Sequence, residues 1–337
     1  MQVTWITCAE SEWLPGGRTS RLASMRYRVL LVERHLDAAD FRTAIIDNDT
    51  PPGEVRAVVA GSDLVVFSKI NWLNPTLIDA VSTWARCPVV FDVSDDHFHH
   101  PDLGSLYRRV AERADCITVP SEHLGQSIAT ALGRETLVIP DPVEGTRRPP
   151  RARQAGTAMR LFWFGYPTNF GALQQQVPLL LEYARRVRRE LALHLVSSFD
   201  PGFAALVRDF NGEHGDQLRL SFADWSHHAM EEAFASAEIA FIPQDCADPR
   251  TRGKSANRVT EAIWAGCFVV AHPVPSYCEY SPWAWIADDL VSGIDYAYRS
   301  PDKAIQKVRA GQSAIASTLT PALVADRWSE LFRRLGG

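Results

Sequence analysis

The chain has 337 residues, of which 46% are hydrophobic and 22% charged, a composition typical of a soluble globular protein with room for two domains. Its formal net charge of −5 excludes a general polyanion-binding surface, so any phosphate site must come from local clustering of basic residues. No basic stretch precedes a long apolar core at the N-terminus, and no apolar run reaches membrane-spanning length. We therefore expect a cytoplasmic protein that does not bind nucleic acid. Six scattered cysteines without a CxxC pair predict free, buried thiols.

The first half of the chain alternates short apolar segments with amphipathic ones. Helices are predicted from Leu22 to Leu36 and from Thr76 to Ala85. The predicted strands are VTWIT, TAIID, DLVVFSK, PVVFDV, CITVP and TLVIP. Because the strands are continuously apolar and separated by helices, they indicate a parallel sheet covered on both faces.

The same alternation restarts after a segment rich in Pro, Gly and Arg, residues 142 to 158, which has no apolar period. The later predicted strands are RLFWFG, LALHLVSS, LRLSFA, EIAFIP and CFVVA, with helices between them. We predict an N-terminal domain over residues 1–145, a linker over 146–158 and a C-terminal domain over 159–337. The last helix is compatible with packing back on the N-terminal domain. The predicted fold class is α/β, with two Rossmann-like doubly wound domains facing a cleft lined by the carboxyl ends of both sheets.

Basic residues follow the first predicted strand, in the segment RTSRLASMRYR (18 to 28). Arginines beside the N-terminus of a helix can hold an anion together with backbone N–H groups. We select Arg26 and Arg28 as substrate-binding candidates because they flank the start of the helix. The alternative is a set of solvated arginines.

An acidic segment, FDVSDDHFHHPD (91 to 102), follows another apolar strand. Asp92, Asp95 and Asp96 would repel one another, so a cleft that holds them needs a cation, an arginine or a polar sugar as partner. We predict that these aspartates and His97 are catalytic. A solvent-exposed turn is one alternative. A metal site with the three histidines is another, although their spacing matches no recognised zinc pattern.

A third candidate is FGYPTN (164 to 169), at the end of the first strand of the second half. Gly165 allows close approach of the backbone to a ligand, and Asn169 offers donors to a phosphate or a sugar. An ordinary turn would use the same residues. We include both residues among the substrate-binding candidates.

The fourth candidate is DPRTRGKSANRVTEAIWAGCFVVAH (248 to 272). On a helix, Lys254, Asn257, Arg258 and Glu261 would share one polar stripe, with an apolar face opposite. With Arg252, these cations suit a diphosphate, and Glu261 suits sugar hydroxyls. The alternative is an internal Arg258–Glu261 salt bridge on an exposed helix.

These segments resemble the GT-B glycosyltransferases, within them the large retaining group, family four, that includes sucrose synthase and bacterial mannosyl- and glucosyltransferases. The resemblance covers nearly the whole chain, and its most specific segment is NRVTEAIWAGCFVVA. The other matching segments are SMRYRV, FDVSDD, CITVPSEHL and LVIPDPV. Glu261 matches the second Glu of a paired-glutamate motif that commonly binds the donor ribose. Arg258 lies where related sequences often have Lys.

The resemblance implies that the C-terminal domain binds a nucleotide-sugar donor and the N-terminal domain binds the acceptor, with no metal and no other cofactor. The aspartates of FDVSDD match an acidic loop beside the reacting sugar. Two features depart from the family pattern. The first Glu of the pair falls at Gly253, and FGYPTN and LVSSFD lack the usual Arg and Lys.

The expected activity is transfer of a sugar to a glycan, lipid-linked or small-molecule acceptor, with retention of configuration. Alternatives are an epimerase or hydrolase acting on the nucleotide sugar, and a non-catalytic nucleotide-sugar binding protein. The basic segment ARRVRRE (184 to 190) is compatible with peripheral contact at the inner membrane, although the pattern favours a solvated helix face.

Overall fold

The computed structural model describes residues 1–8, 11–14, 17–151 and 157–337. The chain forms two compact units. Unit 1 comprises Met1–Glu144, Gly253–Ser255 and Ser317–Gly337, and unit 2 comprises Gly145–Arg252 and Ala256–Ala316. Part of the predicted linker, residues 152–156, lies outside the described residues.

Unit 1 contains a six-stranded parallel sheet in the order β4-β1-β5-β6-β7-β8. Its strands are β1 (Gln2–Ile6), β4 (Arg42–Ile46), β5 (Leu64–Ser68), β6 (Val89–Asp92), β7 (Cys116–Val119) and β8 (Leu137–Val138). A separate antiparallel hairpin, β2 (Glu12–Leu14) and β3 (Gly17–Thr19), was not predicted. The six predicted strands of this half are all confirmed.

The helices of unit 1 cover both faces of this sheet. They are α1 (Ala23–Met25), α2 (Leu31–His35), α3 (Pro52–Ala60), α4 (Pro75–Trp84), α5 (Gly104–Arg113), α6 (Glu122–Leu132) and α15 (Pro321–Gly336). A π-helical turn, Arg26–Leu30, joins α1 to α2, so the helix predicted from Leu22 is not uniform. One core cluster lies under α3 to α6, and a second lies under the first helix and α15. Trp5 and Phe332 pack edge to face in this second cluster.

Unit 2 contains a second six-stranded parallel sheet in the order β11-β10-β9-β12-β13-β14. The strands are β9 (Met159–Phe164), β10 (Leu191–Ser197), β11 (Leu218–Asp224), β12 (Ile239–Ile242), β13 (Phe268–Ala271) and β14 (Trp285–Ile286). The helices are α7 (Phe170–Val187), α8 (Pro201–His214), α9 (His227–Ser236), α10 (Pro249–Arg252), α11 (Asn257–Trp264), α12 (Pro275–Cys278), α13 (Leu290–Arg299) and α14 (Pro301–Ala316).

The strand order reverses at one point in each sheet. In unit 1 the chain moves outward from β1 in one direction to β4 and in the other to β5. In unit 2 the reversal lies between β9 and β12. Open parallel sheets bind ligands outside the carboxyl ends of the strands at such a switch point. The loops that follow β1, β5, β9 and β12 are therefore the places to look for a site.

The cysteines are free, as predicted, but not all are buried. Cys267 is buried and Cys278 is exposed, while the other four are half-buried. In the described parts of the chain, no helix is long and apolar enough to cross a membrane.

Candidate functional site

Three predicted residues come together at the carboxyl end of β9 in unit 2. A Cβ added to Gly165 would lie 3.3 Å from both Cζ and Nη2 of Arg258, and 3.5 Å from Nδ2 of Asn169. Gly165 therefore leaves room for the Arg258 guanidinium, which any larger residue would displace. Asn169 ends a 3₁₀ turn that leads into α7, whose N-terminus adds a positive partial charge here.

The Arg258 guanidinium is buried without a counter-ion. Within the described residues, its three nitrogens make no hydrogen bond, and its Cζ lies 5.7 Å and 5.2 Å from the ring centroids of Trp163 and Phe164. Burial lowers the pKa of Arg258, and the nearby Tyr277 phenol opposes the shift. A buried cation without a carboxylate partner is an arrangement typical of anion-binding sites.

The alternative of an Arg258–Glu261 salt bridge on an exposed helix is wrong. Arg258 has no carboxylate partner among the described residues, and Glu261 is only 6% exposed. The helix α11 begins at Asn257. Lys254 precedes it and is therefore not part of the predicted polar stripe. Gly253 accounts for this difference, because glycine has low helix propensity and separates α10 from α11.

The other predicted polar residues of this segment differ in burial and in the unit to which they belong. Arg252 is exposed at the end of α10, and Lys254 is half-buried in the segment that belongs to unit 1. Asn257 is the half-buried first residue of α11. Gly165, Asn169 and Arg258 are therefore the predicted residues that the geometry of unit 2 brings together.

In unit 1, Arg28 and Asp92 form a fully buried ion pair. Nη2 of Arg28 lies 2.6 Å from Oδ1 of Asp92, and both side chains are 0% exposed. Arg28 also donates to the Ile139 carbonyl and pairs with Asp141 at 3.3 Å. Burial alone would lower the pKa of Arg28, but the two aspartates outweigh it and the pKa is raised.

The remaining acceptor positions of Asp92 are also occupied. Ser68 donates to Oδ2 at 2.9 Å and Thr118 donates to Oδ1 at 2.8 Å. Arg26 is likewise used internally, since its Nε donates to Glu144 Oε2 at 2.7 Å. Asp92, Arg26 and Arg28 therefore form ion pairs within unit 1, and their catalytic and substrate-binding roles stay predictions.

Asp95, in the loop after β6, is chemically accessible. Lys69 Nζ donates to Asp95 Oδ2 at 2.7 Å, and the Asp95 side chain is 43% exposed. Burial would raise the pKa of Asp95, but the charge and hydrogen bond of Lys69 outweigh it and lower the pKa. Asp96 is held more firmly, because its carboxylate accepts from Ser127 Oγ at 2.8 Å and from the Phe98 amide at 3.1 Å.

His97, in the same loop, is half-buried. Its Nε2 lies 2.8 Å from Asn71 Nδ2, and the Tyr107 hydroxyl donates to Asn71 Oδ1 at 2.5 Å. Burial lowers the pKa of His97, and the charge of Asp95 opposes the shift. The imidazole is therefore held in its neutral form by its surroundings.

Lys69, Asn71 and Tyr107 were not selected from the sequence. Lys69 and Asn71 follow β5 in the run SKIN, so their position directly after a strand is a signal that could have found them. Lys69 also has a left-handed backbone with φ 52°, uncommon for a residue other than glycine. Its carbonyl accepts hydrogen bonds from the amide and the thiol of Cys8. Tyr107 lies on α5, and only the folded chain places it beside His97.

The proposed metal alternative requires three ligands to converge. In the described ranges, no three His, Cys, Asp or Glu side chains do so. The carboxylates of the acidic loop point to Arg28, Lys69 and Ser127 instead.

No protein-family model matches the sequence, and no curated protein is similar to it in sequence. Solved structures do resemble it. A glycosyltransferase from Rickettsia africae ESF-5 is 10% identical, with a TM-score of 0.71 over 99% of this chain and 98% of that one. HepE from Anabaena, solved with UDP and glucose, is 13% identical, with a TM-score of 0.69 over 99% of both chains. The chain has the GT-B fold.

AviGT4, a glycosyltransferase of avilamycin A biosynthesis, also shares the GT-B fold. It is 15% identical, with a TM-score of 0.60 over 99% of this chain and 98% of that one. The predicted fold class, two Rossmann-like doubly wound units, is therefore confirmed. At these identities the likeness extends to the fold.

One departure from the family pattern, the glycine at position 253, lies at a closely packed position of unit 1. The first glutamate of the paired motif would fall at Gly253. A Cβ added there would lie 3.3 Å from Cδ1 of Leu124 and 3.5 Å from Cβ of Asp96, all within unit 1. A larger residue at this position would require the Leu124 side chain to shift slightly.

Proposed function

We propose that this protein is a glycosyltransferase that moves a sugar from a nucleotide-sugar donor to the hydroxyl of a glycan, lipid-linked or small-molecule acceptor. Unit 2 binds the donor and unit 1 binds the acceptor. The observation that carries the proposal is the buried guanidinium of Arg258 at the carboxyl end of β9, to which the described residues supply no counter-ion. The diphosphate of a nucleotide sugar supplies the missing negative charge.

Two further observations support this assignment. The Arg258 site lies where the strand order of unit 2 reverses, the usual ligand position in an open parallel sheet. HepE, which shares the fold, was solved with UDP and glucose. The segment NRVTEAIWAGCFVVA also resembles the retaining family-four enzymes, and we extend the proposal to retention of configuration without a metal ion.

In the proposed reaction, the bond between the anomeric carbon and the diphosphate oxygen breaks, and its electron pair leaves with the nucleoside diphosphate. Arg258 and the N-terminus of α7 stabilise the negative charge that develops on that leaving group. The acceptor hydroxyl oxygen forms the new bond to the anomeric carbon, and its proton passes to the departing diphosphate oxygen. Asp95 and His97 are groups of unit 1 that can contact the reacting sugars.

Replacing Arg258 tests the donor site. Arg258→Met should weaken binding of a nucleoside diphosphate by about 10- to 100-fold, because it removes charge-assisted contacts worth roughly 1.5 to 3 kcal/mol. Binding of the nucleoside alone should change little. The ligand-free variant should be at least as stable as the wild type, since an apolar side chain replaces an unpaired buried cation. Calorimetric titration and thermal unfolding measure these quantities.

Arg160→Met is the matched control. Arg160 is the second residue of the same strand, pairs with Glu238 at 3.2 Å and lies at the opposite end from Gly165. This variant should leave nucleoside diphosphate binding unchanged. Equal losses for the nucleoside and its diphosphate in Arg258→Met, or equal losses in the two variants, would remove Arg258 from the donor site.

Turnover assays distinguish the proposed transferase from the alternatives. We would first find the preferred nucleotide sugar by thermal shift, because a ligand at 100 times its dissociation constant stabilises by about 2.7 kcal/mol. Product formation that depends on an added acceptor supports transfer. Turnover without an acceptor would indicate an epimerase or a hydrolase, and tight binding without turnover would indicate a binding protein. Addition of EDTA tests the proposed metal independence.

We also propose peripheral membrane contact through the end of α7, where the basic segment is exposed. Clustered arginines can bind an anionic lipid surface. Co-sedimentation with vesicles that contain anionic lipid should exceed that with neutral vesicles, and substitution of Arg185 and Arg186 by Gln should abolish the difference. Equal sedimentation with both vesicle types would contradict this contact.

A further inference from the structure

The side chains of Tyr107, Asn71 and His97 in unit 1 are linked by successive hydrogen bonds, and we call this arrangement the relay. The Tyr107 hydroxyl lies 2.5 Å from Asn71 Oδ1, and Asn71 Nδ2 lies 2.8 Å from His97 Nε2. The rings of Tyr107 and His97 also pack edge to face, with centroids 5.2 Å apart. The three residues come from different parts of the sequence, so the contact depends on the fold.

The direction of these hydrogen bonds follows from the burial of Tyr107. This residue is 3% exposed, and burial raises the pKa of its phenol well above the ordinary value, so it keeps its proton. Within the described residues, Asn71 is the one hydrogen-bond acceptor for this hydroxyl. If the amide were rotated, the phenolic proton would face an NH₂ group and have no acceptor, at a cost of about 1 to 3 kcal/mol.

With Oδ1 of Asn71 committed to Tyr107, its NH₂ group faces the imidazole. A proton on His97 Nε2 would place two donors against each other, so Nε2 is the acceptor and the ring proton resides on Nδ1. The charged or titratable groups near the ring are Asp95, Asp96, Lys69 and His100, with Tyr107 packed against it. Lys69 donates to Asp95 at 2.7 Å. This ion pair weakens the ability of Asp95 to stabilise a second proton on the imidazole.

We propose that Asn71 and Tyr107 are positioning residues that fix His97 as a neutral imidazole with its proton on Nδ1, ready to donate a hydrogen bond to a substrate oxygen. Because Nε2 is occupied by the amide, His97 does not accept a proton from the acceptor hydroxyl through that nitrogen. The role in the reaction rests on the proposed function. The tautomer itself is a property of the ligand-free protein.

The tautomer can be measured by long-range ¹H–¹⁵N correlation spectra of histidine-labelled protein. His97→Gln identifies the His97 signals among those of the ten histidines. At neutral pH the wild type should show a protonated Nδ1 and an unprotonated Nε2. A protonated Nε2 in the wild type would overturn the proposal, and this measurement requires no variant of the relay and no substrate.

Asn71→Asp tests the relay directly. A carboxylate at this position accepts from both Tyr107 and His97, so the neutral tautomer should change to Nε2–H. The midpoint of the His97 titration should rise by about one to three pH units, as expected for an ion pair at this distance. Retention of Nδ1–H in this variant would contradict the proposal. Tyr107→Phe, which keeps the ring and frees the amide to rotate, should give a mixture of both tautomers.

Asn74→Asp is the matched control for the added charge. Asn74 is three residues away and caps α4 by accepting from the Thr76 amide, a role that Asp fills equally well. This variant should leave Nδ1–H dominant. If Asn74→Asp changed the tautomer as Asn71→Asp does, the change would result from any nearby negative charge. The relay would then be rejected as its cause.

A kinetic measurement connects the tautomer to the reaction. A donor at Nδ1 keeps its proton in both the neutral and the charged imidazole, so kcat/KM should not fall as the pH drops through the His97 midpoint measured by NMR. A general base would lose activity at that midpoint. Absence of any transferase activity would refute the proposed function, while the spectra would still decide the tautomer.

Discussion

Two buried arginines illustrate how a single residue can be assigned to structure or to ligand binding. Arg28 faces Asp92 and Asp141, and these carboxylates raise its pKa despite burial. Arg258 is desolvated without a carboxylate partner within the described residues, and burial lowers its pKa. The first cation is neutralised inside the fold. The second keeps an unsatisfied charge, which is the property expected of an anion-binding residue.

His97 should make the protein sensitive to mild acid. Burial lowers its pKa in the folded chain, so the unfolded chain takes up a proton first as the pH falls below the ordinary value of about 6.5. Stability should therefore decrease from that pH down to the lowered midpoint. His97→Gln should flatten this decrease, as measured by urea unfolding at several pH values. His99→Gln, at an exposed position beside it, is the control, and equal flattening by both would contradict the prediction.

At the scale of an element, a π-helical turn in the first helix directs two arginines to different partners. The π-helical turn spans Arg26–Leu30, and both Arg26 and Arg28 are buried although residues two apart do not share a face of a regular helix. Arg26 reaches Glu144 and Arg28 reaches Asp92. Turns of this kind often occur at functional positions, and here the turn fixes the strand ends of unit 1.

Removing one partner of the Arg28–Asp92 pair should be strongly destabilising. Asp92→Asn keeps the shape but only one acceptor oxygen, so it can accept from Ser68 or from Thr118 but not from both at their present positions. It also leaves the charge of Arg28 only partly compensated, and we expect a cost of about 3 to 5 kcal/mol. In the double variant with Arg28→Met, the loss should be smaller than the sum of the single losses by about 1 to 3 kcal/mol. Denaturant unfolding measures all three variants.

Asp209→Asn provides the comparison for that experiment. Asp209 pairs with Arg208 on the surface, where both side chains are about two-thirds exposed or more, 68% and 73%. Loss of this pair should cost no more than about 1 kcal/mol. If Asp92→Asn were equally mild, Asp92 would be free for a role in binding or catalysis.

The strands could be predicted from the sequence because each is a short apolar run, and burial on both faces of a parallel sheet leaves that pattern. The side-chain contacts of the site could not be predicted from the sequence. Nothing in the pattern distinguishes Asp92, which pairs with Arg28, from Asp95, which remains accessible. The approach of Arg258 to Gly165 joins residues far apart in sequence, and depends on how α11 packs beside β9.

At the scale of the whole molecule, each unit has its own sheet, its own core and its own switch point. The strands of unit 2 follow the order expected of a dinucleotide-binding fold, with the first strand, β9, at the reversal. Unit 1 places the end of β1 next to the end of β5, where the Cys8 amide donates to the Lys69 carbonyl at 3.1 Å. Two separate sites therefore serve two different ligands in the proposed reaction.

The proposed roles of the two units predict which backbone amides a bound nucleotide protects from hydrogen exchange. Hydrogen exchange in the presence of a nucleoside diphosphate should slow at the amides that follow β9 and in the first turn of α11, because binding at Arg258 stabilises that region against local opening. The loop after β6 in unit 1 should exchange at an unchanged rate. Arg258→Met should lose the protection at the same ligand concentration, whereas Arg160→Met should keep it. Protection centred on residues 93–103 instead would assign the nucleotide to unit 1 and reverse the proposed roles of the two units.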